Sequence, residues 1–257
     1  MGWSCTAEAR CSEVRLTFLG TGSAIPSERV QSGLLLEDDK LVFDCGVGVM
    51  HNLNRSRVRV DDVEAFLLTH AHLDHINDLM AILKADWLLG RESIRVRGPP
   101  GTAERVNGLL DAYEYLKEKT EVKIEEFEPG DSFEVAGRKI DTFPTEHSVP
   151  STAYRVDDAF AYSGDTEPLP EIAEFADGCD VLVHECAFPD GMDMSNHTHP
   201  SELAEVVEGC SVDHVYITHL YPHTSGKEDE MVETIGKEFD GEVSVAEDMM
   251  TVEVDGS

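Results

Sequence analysis

Short apolar runs of period two alternate along the chain with stretches of helical spacing. Val14–Leu19 alternates and stops at Gly20-Thr21-Gly22-Ser23, which predicts a strand and a tight loop. Gly33–Leu36 and Leu41–Phe43 flank Glu37-Asp38-Asp39-Lys40, a hairpin pattern. A helix is expected after Asp44-Cys45-Gly46 to about Leu53, then a strand over Ala65–Thr69. Ile76, Leu79, Met80 and Leu83 keep a helical spacing, so one helix is predicted from about Asp74 to Leu89. Strand Ser93–Arg97 follows, ended by Gly98-Pro99-Pro100-Gly101, and then a helix from about Ala103 to Leu116. Strands are read at Val122–Phe127, Ser132–Val135, Arg138–Phe143, Thr152–Val156 and Ala159–Tyr162. The remainder alternates: helix Glu171–Phe175, strand Val181–His184, helix Ser201–Glu208, strand Val215–Thr218, helix Glu228–Phe239, and strands Val243–Ala246 and Thr251–Val254. Hairpins mixed with crossovers predict a mixed α/β fold.

A chain of 257 residues suits one large domain with a substantial core. No linker or low-complexity tract divides it, so residues 1–12 read as an N-terminal extension and 13–257 as a single domain. No window of about 18 apolar residues predicts a membrane span. Met1–Ser12 lacks the apolar core of a signal peptide. Six scattered cysteines without a C-x-x-C pair read as reduced, mostly buried thiols of a cytoplasmic protein. The net charge of −32 changes the picture more. Fifty-two acids face twenty bases and are spread along the whole chain, unlike a local acidic tail. Such a surface fits a halophilic source, because at about 1 M salt the Debye length of roughly 3 Å screens self-repulsion.

The chemistry concentrates at Thr69-His70-Ala71-His72-Leu73-Asp74-His75. Imidazoles are common ligands for zinc-like metals, and a neighbouring carboxylate adds an oxygen ligand or a base. Burying such groups unpaired would cost several kcal/mol, which argues against a core role. In an extended segment His70 and His72 share a side and can converge on one ion, while Asp74 and His75, at a helix start, point at a second.

The run resembles the H-x-H-x-D-H signature of the metallo-β-lactamase superfamily, and the resemblance extends from Leu16 to about Val254. It implies the αβ/βα four-layer sandwich with two mixed β-sheets. It also implies a metal pair: His70, His72 and His147 on one ion, Asp74, His75 and His219 on the other, and Asp165 bridging. The ions would be zinc, with manganese or iron as alternatives, and the nucleophile a metal-bridging hydroxide. Glutamate replaces the second histidine in oxygen-reducing relatives and cysteine replaces the bridging aspartate in true β-lactamases, so His72 and Asp165 disfavour both activities. Phe18–Ser23, Phe43–Gly46, His184-Glu185-Cys186-Ala187-Phe188 and His197-Thr198-His199-Pro200-Ser201-Glu202 resemble the RNase Z branch. That match implies a pair, Glu185 and His197, that protonates the leaving oxygen, with His199 the rival for His197. It also implies that Asp44 orients a metal ligand from behind and that a homodimer forms. His51, His184, His214 and His223 receive no role.

One departure matters. Many members carry a long basic arm for tRNA between the segments matching Tyr154–Val156 and Ser163–Asp165. Here only Asp157–Ala161 intervenes, and Arg55, Arg57 and Arg59 are a modest footprint for nucleic acid. The leading reading is therefore a dinuclear metal-dependent phosphodiesterase of RNase Z-like type, acting on a small molecule or RNA. The alternatives are tRNA 3′ processing, hydrolysis of an ester, thioester or lactone, and a non-catalytic binding module.

Overall fold

The computed structural model describes residues 12–25, 27–91, 93–192 and 194–256. Of the expected N-terminal extension, residues 1–11 lie outside that description, as do Cys5 and Cys11. Fourteen strands form two seven-stranded sheets among the described residues. The first sheet holds β1 (Ser12–Gly20), β2 (Gly33–Leu36), β3 (Leu41–Phe43), β4 (Ala65–Leu67), β5 (Ser93–Gly98), β6 (Glu121–Glu126) and β14 (Thr251–Gly256) in the order β14-β1-β2-β3-β4-β5-β6. The second holds β7 (Ser132–Val135), β8 (Arg138–Pro144), β9 (Thr152–Val156), β10 (Phe160–Tyr162), β11 (Val181–Glu185), β12 (His214–Thr218) and β13 (Glu242–Val245) in the order β13-β12-β11-β10-β9-β8-β7. Both are mixed: β3 to β6 run parallel, as do β10 to β13, and the remaining pairs are antiparallel.

The period-two pattern sorts side chains between layers. Leu16, Phe18, Leu34, Leu36, Phe43 and Leu67 from one sheet meet Tyr154, Phe160, Tyr162, Val183 and Tyr216 from the other in a central core. The alternate residues face outward under helices: Leu35, Val42 and Phe66 on one side, Ala161, Leu182 and Ile217 on the other. This gives the αβ/βα sandwich. The helices are α1 (Val49–Leu53), α2 (Leu73–Ile76), α3 (Leu79–Leu89), α4 (Thr102–Asp111), α5 (Glu114–Lys117), α6 (Glu171–Ala176), α7 (Pro200–Val207) and α8 (Glu228–Ile235).

Three predicted helices are shorter or broken. The one expected over Asp74–Leu89 divides into α2 and α3 at Asn77-Asp78, where the Asp78 carboxylate accepts the Gly48 and Met50 N–H groups, both at 2.9 Å. The Asp78 N–H donates to the Cys45 carbonyl at 3.0 Å rather than to the carbonyl four residues back, which breaks the helical ladder. The Ala103–Leu116 helix is interrupted after Asp111, and the last helix stops at Ile235 before Gly236 rather than reaching Phe239, which is buried in the outer core. No described helix is long and apolar enough to cross a membrane.

Candidate active site

The site lies on the rim where strands of common direction end. Asp44 follows β3, Thr69 and His70 follow β4, His147 follows β8, Asp165 follows β10, Glu185 ends β11, and His219 follows β12. Carboxyl ends of parallel strands are where open α/β sheets place their chemistry. His72 precedes α2, and Asp74 and His75 lie in its single turn. Candidate metal donors separated by up to 149 positions in sequence, His70 to His219, are thereby gathered in one cluster.

Overlapping groups of donors result. His70 Nε2 stands 3.0 Å from His72 Nδ1, and His147 Nε2 stands 3.1 Å from the same atom. Asp165 Oδ2 lies 3.8 Å from His70 Nε2, 3.4 Å from His75 Nε2 and 3.3 Å from His219 Nε2. Asp74 Oδ2 is 3.8 Å from His75 Nε2 and 3.9 Å from His219 Nε2. All seven expected donors are brought together, as the trios His70–His72–His147, Asp74–His75–His219 and His70–His75–Asp165, and His197 joins Asp165 and His219 in a fourth.

The outer nitrogens are held from behind, which fixes which ring atom faces inward. Thr69 Oγ1 donates to Asp44 Oδ2 at 2.8 Å, so His70 Nδ1, at 3.0 Å from that hydroxyl, is the donor to it. His75 Nδ1 donates to Asp44 Oδ2 at 2.8 Å, and Tyr162 donates to the same oxygen at 3.1 Å. His147 Nδ1 donates to the Asn196 carbonyl at 3.0 Å. Ser32 Oγ donates to the Gly22 carbonyl at 3.3 Å, leaving the Ser32 oxygen to accept from His219 Nδ1 at 2.8 Å. Lone pairs on His70, His147 and His219 Nε2 therefore point into the site.

That arrangement is costly without a cation. His75 Nε2, Asp165 Oδ1 and His219 Nε2 are buried without a hydrogen-bond partner. A single proton on His72 Nδ1 cannot serve both imidazole lone pairs beside it. Ligands about 2.1 Å from a tetrahedral ion stand roughly 3.4 Å apart, close to the separations observed here. Burial and neighbouring imidazoles keep His70 and His72 below the ordinary histidine range, and burial lowers His147 and His219 as well, so these rings are neutral donors. Burial would raise the Asp165 carboxyl, but His219 and His75 outweigh it and hold it ionised. Burial would lower His75 too, yet Asp165 and Asp44 hold its proton well above the usual range. A positive charge is demanded at that point, and a cation can take the proton's place. The donor set thus fits divalent metal.

Beside this cluster, His197 Nδ1 lies 3.1 Å from Glu185 Oε1. The Glu185 carboxylate also accepts N–H groups of Thr166, Thr198 and Ala187, which lock its orientation. Burial opposes charging of His197, but the Glu185 hydrogen bond and charge prevail and push it up to about 9. Its ring is 5.7 Å from His147 and 5.4 Å from His219. His199 instead caps α7: its Nδ1 and its backbone N–H both reach Glu202 Oε2, at 2.9 and 3.0 Å. Its ring is not among the candidate metal-holding groups.

The other histidines stand apart. His184 donates through Nδ1 to the Glu185 carbonyl, His214 stacks on Tyr216, His223 lies by Phe188, and His51 is exposed on α1. Cys45, Cys179, Cys186 and Cys210 are free thiols. The β9–β10 connection is a tight hairpin whose turn carboxylate, Asp157, pairs with Arg138, and Arg59 is paired with Asp61. Thr69, Ser32 and Tyr162 were not singled out from sequence. Thr69 adjoins the motif, which was a usable signal, whereas Ser32 and Tyr162 carry none.

A model of the β-lactamase superfamily domain matches residues 39–220. Ribonuclease Z of Mycobacterium marinum is 31% identical over 275 aligned residues, covering 94% of this chain and 99% of its own. The metallo-β-lactamase fold protein YhfI of Bacillus subtilis superposes with a TM-score of 0.81 at 23% identity, covering 94% of this chain and 100% of that one. The short form of human tRNase Z gives a TM-score of 0.71 at 22% identity, covering 93% and 98%. The chain belongs to the β-lactamase superfamily, in its ribonuclease Z-like branch. It is a metal-dependent hydrolase.

Proposed function

We propose that the chain is a phosphodiesterase working with two divalent cations, zinc in the native state. His70, His72 and His147 would hold one, Asp74, His75 and His219 the other, with Asp165 shared. The nitrogen and carboxylate donors suit zinc. Bound there, the ions would supply a water acidified towards neutrality and positive charge beside the attacked phosphorus.

The chain's own residues do the rest. Asp44 fixes His75 directly and His70 through Thr69, so the donors are aimed before substrate arrives. Asp74 is a carboxylate donor beside His75 and His219. Protonated His197 presents Nε2–H to the leaving oxygen, while Glu185 holds Nδ1 and keeps the ring charged at neutral pH. The His197–Glu185 hydrogen bond beside the donor set is the observation that carries the reading: a poor alkoxide leaving group of a diester needs a proton from such a pair.

Hydrolysis of bis(p-nitrophenyl) phosphate by zinc-loaded protein tests it. Turnover of p-nitrophenyl acetate without turnover of the diester would replace it with the esterase reading. The second reading, tRNA 3′ processing, is favoured by the ribonuclease Z relatives and opposed by the bare β9–β10 hairpin. A precursor-tRNA cleavage gel separates the two. The family resemblance extends the proposal to a cytoplasmic homodimer, and a monomeric mass by light scattering would remove the dimer.

A further inference from the structure

We infer that a groove running from His72 holds the retained ester group of the substrate and selects diesters carrying a flat aromatic group there. The inference rests on the phosphodiesterase reading. The groove is about 1230 Å³ and adjoins the site at His72. Leu73, next in sequence, is 63% exposed and lines it with Ile76, and the other walls include Pro99, Pro100, Val149 and Pro150. Exposed apolar surface beside a reaction centre gains by covering an apolar group, by about 25 cal/mol per Å². Proline rings offer rigid apolar faces on which an aromatic ring can pack. Arg105 on α4 stands 3.9 Å from Glu104, and Asp111 also lines the groove, so the walls offer no net positive charge to a run of phosphates.

Geometry assigns which end of the diester enters. His197, the proton donor, sits with Tyr221 at 5.6 Å and Phe188 at 5.8 Å. The leaving oxygen must meet that proton, so the leaving group is committed to the His197 side. The groove at His72 is left to the ester that stays on phosphorus. Gly108 on α4 lines it, and a Cβ there would meet no atom within 4 Å. A larger side chain at 108 therefore fills the groove without straining the helix, whose propensity improves when glycine is replaced.

The test uses zinc-loaded protein and two diesters with one alkoxide leaving group, benzyl 2,2,2-trifluoroethyl phosphate and methyl 2,2,2-trifluoroethyl phosphate, each rate normalised to its hydroxide reaction. The wild type should favour the benzyl diester at least tenfold in kcat/KM, and G108F should reduce that preference to within about threefold. G108A, which fills little of the groove, should keep it. Calorimetric binding of diphenyl phosphate should weaken at least tenfold in G108F, a readout that needs no turnover. No preference in the wild type, equal slowing of both diesters by G108F, or unchanged diphenyl phosphate binding would overturn the groove. Turnover of neither diester, with binding that G108F abolishes, would overturn the phosphodiesterase reading and leave the groove standing.

Discussion

Asp44 does more at the residue scale than its place at the end of a short strand announces. It adopts a positive φ of 58° and accepts from Thr69, His75 and Tyr162, so one buried carboxylate aims two candidate metal donors. Asp74 faces the opposite way, towards His75 and His219. Asp74→Ala should lower diester turnover by at least about 10²-fold, near 2.7 kcal/mol in barrier, with the fold intact by circular dichroism. Near-normal turnover in a fully metal-loaded mutant would remove it from the mechanism. His197 makes a separable contribution. His197→Ala should retain both metals by elemental analysis and slow a dinucleotide about 10²–10⁴-fold, while slowing a p-nitrophenyl diester much less, since that phenolate leaves without a proton. Glu185→Gln should follow the same pattern more weakly. With His197 pushed up to about 9, its acid form predominates below that pH. Dinucleotide turnover should therefore fall as pH rises through about 9, on a limb absent from His197→Ala. Equal slowing of both substrates, or loss of a metal, would assign His197 another role.

At the scale of elements, the site depends on how α2 is seated. The Cys45 N–H donates to the His75 carbonyl at 2.6 Å, and Asp78 ties the end of α2 back to the Cys45 carbonyl and to α1. Gly46 lies in that contact. A Cβ there would come 2.0 Å from the Asp74 carbonyl oxygen and 2.6 Å from Gln31 Cβ. Gly46→Ala must push α2 aside, and with it Asp74 and His75. Overpacking of this kind costs about 1–3 kcal/mol. Chelator competition should show zinc bound about 10- to 100-fold more weakly, with a lowered melting temperature. Wild-type zinc affinity would mean that α2 can shift without carrying its donors. The broken helices belong to this scale too: apolar spacing runs straight through Asn77-Asp78, while the partner that ends α2 there is the Cys45 carbonyl, distant in sequence.

For the whole molecule, charge dominates. A net charge of −32 on 257 residues repels itself unless screened, and screening is nearly complete only at molar salt. The expected outcome is a melting temperature that rises with KCl between about 0.1 and 3 M, measured with metal held constant. A melting temperature independent of salt would sink the halophilic reading. The same charge bears on substrate choice. Contacts to a polyanion weaken steeply with salt, by about 10³–10⁵ for six to ten phosphates between 50 and 200 mM. A compact diester gripped at the site itself is less exposed to that loss.

The metal motif and the period-two strands were legible in the residues themselves, and the two-sheet architecture only through family likeness. Side-chain alternation is a local property, and His70, His72, Asp74 and His75 lie within six positions. Glu185 and His197 were legible only through family likeness, since nothing local marks either as one of a pair. What tertiary structure alone decided was convergence. Ser32 behind His219 and Tyr162 behind Asp44 are set by strand order and sheet packing across 187 and 118 residues. That His199 engages Glu202 at the start of α7 while His197 engages Glu185 is also set by the tertiary structure. Such placements follow from register and layer packing, which local sequence constrains only through the fold as a whole.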